Sequence, residues 1–175
     1  ASAFPFVEDD NQPFRAYSAI GQGDAAATPL QMAVVAAAIA NGGEVPRPQL
    51  VREVRDASGA VVRRSSPETI GRAMSPQTAE RLTEMMVAVV ESGTGTAAQM
   101  EGITVAGKTG TAQTGTEGAS PHAWFICFAP AENPRLAVAV LVENGGTFGS
   151  EATGGQVAAP IAKAILDADR AIRKW

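Results

Sequence analysis

One cysteine, one histidine, one tyrosine and two tryptophans are all that 175 residues offer of the side chains that most often mark redox, metal or stacking chemistry. The single cysteine, Cys127, excludes an internal disulfide and a cysteine metal cage. It falls in the apolar run Phe125 to Ala129 with no adjacent cation to lower its pKa, so it reads as buried strand filler rather than a reactive thiol. Long apolar runs are missing too: the longest, Met32 to Ala40, is far short of the roughly 18 residues that span a bilayer. No basic cluster exceeds two or three residues and the net charge is -4, which argues against a nucleic-acid footprint and against a polybasic membrane patch. No carboxylate or histidine cluster has metal-ligand spacing, and no serine sits in a GxSxG elbow, so neither a metal nor a cofactor is expected.

With 45% hydrophobic and 18% charged residues but few aromatics, the core has to be built from Ala, Val, Ile and Leu. A chain of this length supports one domain that buries roughly 70% of its unfolded surface. It begins at Ala1 rather than Met and opens on an irregular-looking stretch, "ASAFPFVEDDNQPF". That opening reads as a piece of something longer, with targeting information expected outside it.

Helix signals are clearest from Thr28: Thr28 as N-cap, Pro29 at the first helical position, Gln31 completing a capping box, and Asn41-Gly42-Gly43 as the stop. This helix is apolar on most sides, which predicts burial between other elements. "QLVREVRDASGAVVRRS" reads as a hairpin turning at Asp56 to Gly59, its arginines forming a solvated face. A second helix is predicted from Ser75 to Ser92-Gly93, with Leu82, Met85, Met86, Val89 and Val90 as its apolar stripe. Three strands follow, Ile103 to Gln113, Ala123 to Ala129 and Leu136 to Glu143; the last two are joined by a connection too short for a crossover helix. A terminal helix carries Val157, Ile161, Ile165 and Ile172 as its expected apolar side, with Pro160 in or near the first turn. The predicted class is α/β of the α+β type, a mostly antiparallel sheet packed with helices.

Lys108 is the residue on which function turns. Gly102, Gly107, Lys108 and Thr109 fit the spacing of a phosphate-binding loop, while Lys108-Thr109-Gly110 is a KTG triplet. A phosphate loop needs a strand before its first glycine and a helix opening at the lysine. Here the residues between the glycines, Ile103 to Ala106, are rich in strand formers, and "TGTAQTGTEGASP" is too rich in Gly and Thr to open a helix. The KTG reading needs an extended segment at a cleft, and that is what the same residues supply. Thr109 and Thr111 alternate with Gly110, so their hydroxyls share a face. A carboxylate about 4 Å from the ammonium gains roughly 4 kcal/mol at an effective dielectric of 20.

The blocks "IGQGDAAATPLQMAVVAAAIANGG", "GTGTA", "AGKTGTAQTG", "HAWFICFAPA" and "LAVAVLVENGG" stand in one order from Ile20 onwards. In that order and spacing they resemble the transpeptidase domain of class B penicillin-binding proteins, most of all the actinobacterial penicillin-binding protein A type. The resemblance implies the penicillin-recognising serine transpeptidase / β-lactamase-like fold, here incomplete, with residues 1–175 the C-terminal portion of one such domain. It further implies a D,D-transpeptidase that cross-links peptidoglycan stem peptides at the outer face of the cytoplasmic membrane, held by an N-terminal anchor outside this chain, and acylated by β-lactams. Carried over by position, Lys108 belongs to the polar network around the nucleophile. Thr109, Gly110, Thr111 and Gln113 bind the D-Ala-D-Ala end or the penicillin, and the Thr111 N–H is an oxyanion-hole donor. His122 reads as an imidazole shaping the cleft rim.

Two boxes that the resemblance calls for are missing. The residues three before Lys108, Lys163 and Lys174 are Val105, Pro160 and Ala171, so there is no SxxK serine, and no Asn has Ser two positions earlier, so there is no SxN. The implied nucleophile is therefore not in this chain, and the upstream part of its own domain becomes an expected partner, beside other cell-wall synthesis proteins. The rival expectation is a non-catalytic sensing or interaction module on the same fold, which the sequence upstream would separate from an enzyme.

Overall fold

The computed structural model describes residues 2–5 and 11–175. The irregular opening expected over residues 1–14 lies partly outside them; of the rest, Gln12–Ala19 form a helix, α1, started by the Asn11 side chain accepting the Phe14 N–H at 3.2 Å. Helix α2, Pro29–Ala40, begins at the predicted cap, the Thr28 hydroxyl accepting the Gln31 N–H at 3.1 Å. The expected capping box is not closed by Gln31: the Thr28 N–H donates to the Ser2 hydroxyl at 3.0 Å instead. Its interior is buried or half-buried, and only the first turn is exposed, with Leu30 open to solvent.

Four short strands connect α2 to the next helix. Strands β1 (Glu44–Pro46), β2 (Glu53–Arg55), β3 (Val61–Arg64) and β4 (Thr69–Arg72) form two antiparallel pairs, β1 with β4 and β2 with β3. The β2–β3 hairpin is the one predicted; the β1–β4 pair carried no alternating pattern and was not. In the hairpin turn Asp56 accepts the Ser58 hydroxyl at 2.6 Å and the N–H groups of Ser58 and Ala60 at 2.9 and 3.0 Å.

Helix α3, Pro76–Ser92, is capped by the Ser75 hydroxyl on the Thr78 N–H at 3.1 Å. Met86 and Val90 are buried, but Met85, expected in the same stripe, is 58% exposed, and Ala79 takes a buried place two turns before Met86. Strands β5 (Ala106–Ala112), β6 (His122–Ala129) and β7 (Leu136–Val142) form an antiparallel sheet in the order β5-β6-β7. β5 is shorter than the predicted Ile103 to Gln113, because Ile103 bridges back to Met100 and pairing with β6 begins only at Ala106 opposite Phe128. Helix α4, Ala159–Arg173, follows a π turn at Gly154–Ala158.

Alternation along the sheet feeds two cores. Phe125, Cys127, Val138 and Val140 face α4 and pack with Ala158, Ala159, Ala162 and Leu166. Ala106, Ile126 and Phe128 face the other way, against Ala36 and Ile39 of α2 and Met86 of α3. The result is a three-layer stack, helix, sheet, helices, with β6 as the shared middle strand. The isoleucine face expected for α4 is overturned: Ile161, Ile165 and Ile172 are exposed, Ile172 by 79%, while three alanines and Leu166 make the contact. Small side chains let the helix backbone lie close to the sheet, and that closeness excludes the isoleucines from the interface.

Candidate active site

Lys108 lies in the middle of a strand, opposite Ile126, and no helix starts near it; the phosphate-loop spacing is a coincidence. Gly110 pairs with Trp124 and Ala112 with His122. In an antiparallel ladder the residues that exchange bonds with the neighbour alternate with residues whose N–H and C=O point the other way. The carbonyl oxygens of Thr109 and Thr111 are taken by side chains rather than by a neighbouring strand: Lys108 Nζ, from β5 itself, donates to Thr109 O at 2.6 Å, and Gln22 Nε2 donates to Thr111 O at 3.2 Å. Thr109 and Thr111 therefore turn their backbone groups to the edge that β6 does not cover.

That edge forms one wall of a cavity of about 370 Å³. Lys108, Thr109, Gly110 and Thr111 line it from β5, and residues 18–22, Met32, Trp124 and Ile126 supply much of the rest. Lys108 and Gly110 project to the α2 side of the strand, Thr109 and Thr111 to the α4 side. The Thr109 hydroxyl is within 2.6 Å of the Thr94 hydroxyl, so the loop after α3 holds it at a fixed place. Gly154 packs against the back of this strand so closely that a Cβ there would lie 2.1 Å from Trp124 O and 2.7 Å from Gly110 O.

The structure thus brings together four of the residues singled out from sequence and leaves two apart. Gln113 is exposed one residue past β5, and His122 opens β6; neither lines the cavity. His122 Nδ1 instead accepts the Asn144 N–H at 3.0 Å and ties the start of β6 to the turn that follows β7. Gln22 and Thr94 were not singled out, although both stand in the sequence blocks that carry the resemblance. Cys127 is fully buried on the far side of the sheet, where burial pushes its thiol up to about 12. Among the described residues there is no group of His, Cys, Asp and Glu able to hold a metal.

Comparison with known proteins identifies the family and the fold. The family profile of the penicillin-binding protein transpeptidase domain matches residues 7–167. The chain is 50% identical over 153 residues to the peptidoglycan D,D-transpeptidase PbpA of Mycolicibacterium smegmatis, covering 86% of this chain and 31% of that one. It superposes with a TM-score of 0.82 and 46% identity on the ceftriaxone acyl-enzyme of penicillin-binding protein A from M. tuberculosis, over 87% of this chain and 34% of that chain. The D,D-transpeptidase domain of a peptidoglycan glycosyltransferase from Eggerthella lenta is similar at a TM-score of 0.74 and 37% identity, over 95% of this chain and 36% of that chain. The chain spans about a third of the length of these relatives.

Proposed function

The chain belongs to the penicillin-binding protein transpeptidase domain family, and from that membership we propose that it forms the KTG wall of a D,D-transpeptidase that cross-links peptidoglycan stem peptides and is acylated by β-lactams. One observation carries the reading: the uncovered edge of β5 turns Thr109 and Thr111 backbone groups into a cavity beside the Lys108 ammonium. An extended peptide lying along that edge would add as a further strand, giving an N–H to Thr111 O and accepting the Thr111 N–H. When the scissile carbonyl is attacked, the Thr111 N–H would donate to the developing oxyanion, a contribution whose loss typically costs about 10² to 10³ in rate.

Lys108 and the hydroxyls of Thr109 and Thr111 are assigned to the carboxylate of the D-Ala-D-Ala end, and Lys108 also to the polar network at the nucleophile. Gln113 is assigned to the part of the substrate that extends past the cavity, and His122 to the rim it fixes through Asn144. No serine stands three residues before a lysine here, so the nucleophile is proposed to come from a part of the domain outside this chain, which is then its first partner; other cell-wall synthesis proteins would be further ones. The site of action is proposed as the outer face of the cytoplasmic membrane, with anchoring by an N-terminal segment. No helix among the described residues is long and apolar enough to cross a membrane.

Fluorescent penicillin tests the reading. This chain alone should take up no stable label, the full-length protein should, and Lys108→Ala in the full-length protein should remove most of the signal. Stable acylation of the isolated chain would refute the external nucleophile, and undiminished labelling of Lys108→Ala would refute the role given to the lysine.

A further inference from the structure

The edge that would receive substrate is already engaged at one point. Gln22 Nε2 reaches the Thr111 carbonyl at 3.2 Å from 89 positions away in the sequence. Gln22 sits in the turn after α1 between Gly21 and Gly23, whose φ angles of 78° and 70° are the left-handed values such a turn needs. Backbone bonds hold the turn, Gly21 N–H to Ser18 O at 3.0 Å and Gln22 N–H to Tyr17 O at 3.2 Å. The Gln22 side chain is half-buried, so it can leave Thr111 for water without stranding a polar group. Both ends of the bond line the same cavity, as does Ser18 at the end of α1, whose buried hydroxyl has no partner among the described residues. The Gln22 amide is thus a polar group that the turn presents to the cleft.

We propose that Gln22 is a specificity-determining residue of the acyl-donor cleft, competing for the Thr111 carbonyl with any ligand that brings an N–H to the β5 edge. The inference rests on the transpeptidase reading above. A donor whose amide pairs with Thr111 must displace the glutamine; a donor without such an amide gains or loses nothing from it. Gln22 therefore sets a threshold that amide-bearing ligands cross only through their other contacts.

The test is acylation of the full-length protein by penicillin G, whose C6 side chain carries an amide N–H, and by penicillanic acid sulfone, whose C6 carries no side chain. Second-order rates are read by competition with a fluorescent penicillin. Gln22→Met keeps the length of the side chain and removes its donor. It should raise the rate for penicillin G relative to the sulfone by roughly two- to tenfold, the range of one neutral hydrogen bond. Gln22→Ala should shift the ratio the same way. An unchanged ratio, or a fall in it, overturns the proposal, and so does loss of folding in both variants, which would make the Gln22 to Thr111 bond structural. If neither compound acylates the wild type, the transpeptidase reading fails and takes this inference with it, an outcome distinct from an unchanged ratio in a protein that labels.

Discussion

Cys127 shows how completely position decides chemistry at the scale of a single residue. With its thiol pushed up to about 12 by burial, the thiolate fraction at pH 8 is about 10⁻⁴, and the sheet denies reagents access as well. A thiol reagent should leave the native chain unmodified at pH 8 and titrate one thiol in guanidinium; rapid native modification would contradict the burial. Asp56 is the opposite case, exposed but held by the Ser58 hydroxyl and by backbone N–H groups, which keep its carboxyl below the ordinary 3.8. Because the folded value is the lower one, the stability it lends the turn is present above about pH 4 and is lost as pH falls through the folded value. An NMR titration should give Asp56 a midpoint below 3.8, and a midpoint above it would undo the assignment. Lys108, Thr109, Gly110 and Thr111 were legible because a triplet on a strand former carries its own pattern. Gln22 and Thr94 were not, since a side chain reaching across 89 residues, or one hydroxyl meeting another from a separate loop, leaves no local trace.

Among the elements, those with capping chemistry were the easiest to read. Thr28-Pro29 and Ser75-Pro76 set the starts of α2 and α3 to the residue, because the cap hydroxyl and the proline each do a local job that the sequence states. α4 was placed but turned the wrong way. Hydrophobicity pointed to its isoleucines, whereas the sheet accepts only the alanine face at that spacing. The π turn before α4 is built to the same tolerance. Gly154→Ala would drive a methyl group against Trp124 O and Gly110 O, backbone atoms that cannot swing aside. The expected cost is about 1–3 kcal/mol, measured by denaturant unfolding. Since the pressure falls on Gly110, penicillin labelling of the full-length protein should weaken too. A substitution that altered neither would mean that the turn is looser than its geometry implies.

For the whole molecule, the sequence announced three strands at β5 to β7 and the helices α2, α3 and α4, but neither α1 nor the order of the layers, which depends on which faces meet. The stack leaves Ile161, Ile165 and Ile172 exposed along one side of α4, and an apolar stripe of this kind is an association hazard. The chain is expected to bind ANS, and Ile161→Lys with Ile165→Lys should cut that fluorescence clearly; no change would put the dye elsewhere. The shared strand β6 has a kinetic consequence as well. Its amides bond to neighbours on both sides and its side chains fill both cores, so they should exchange with deuterium only on global opening, while the outward amides of Thr109 and Thr111 exchange from the folded state. A ligand that docks as an extra strand would then write itself into the exchange pattern as protection at alternate residues, 109 and 111 but not 110, a signature that no ligand resting on the side-chain surface would leave.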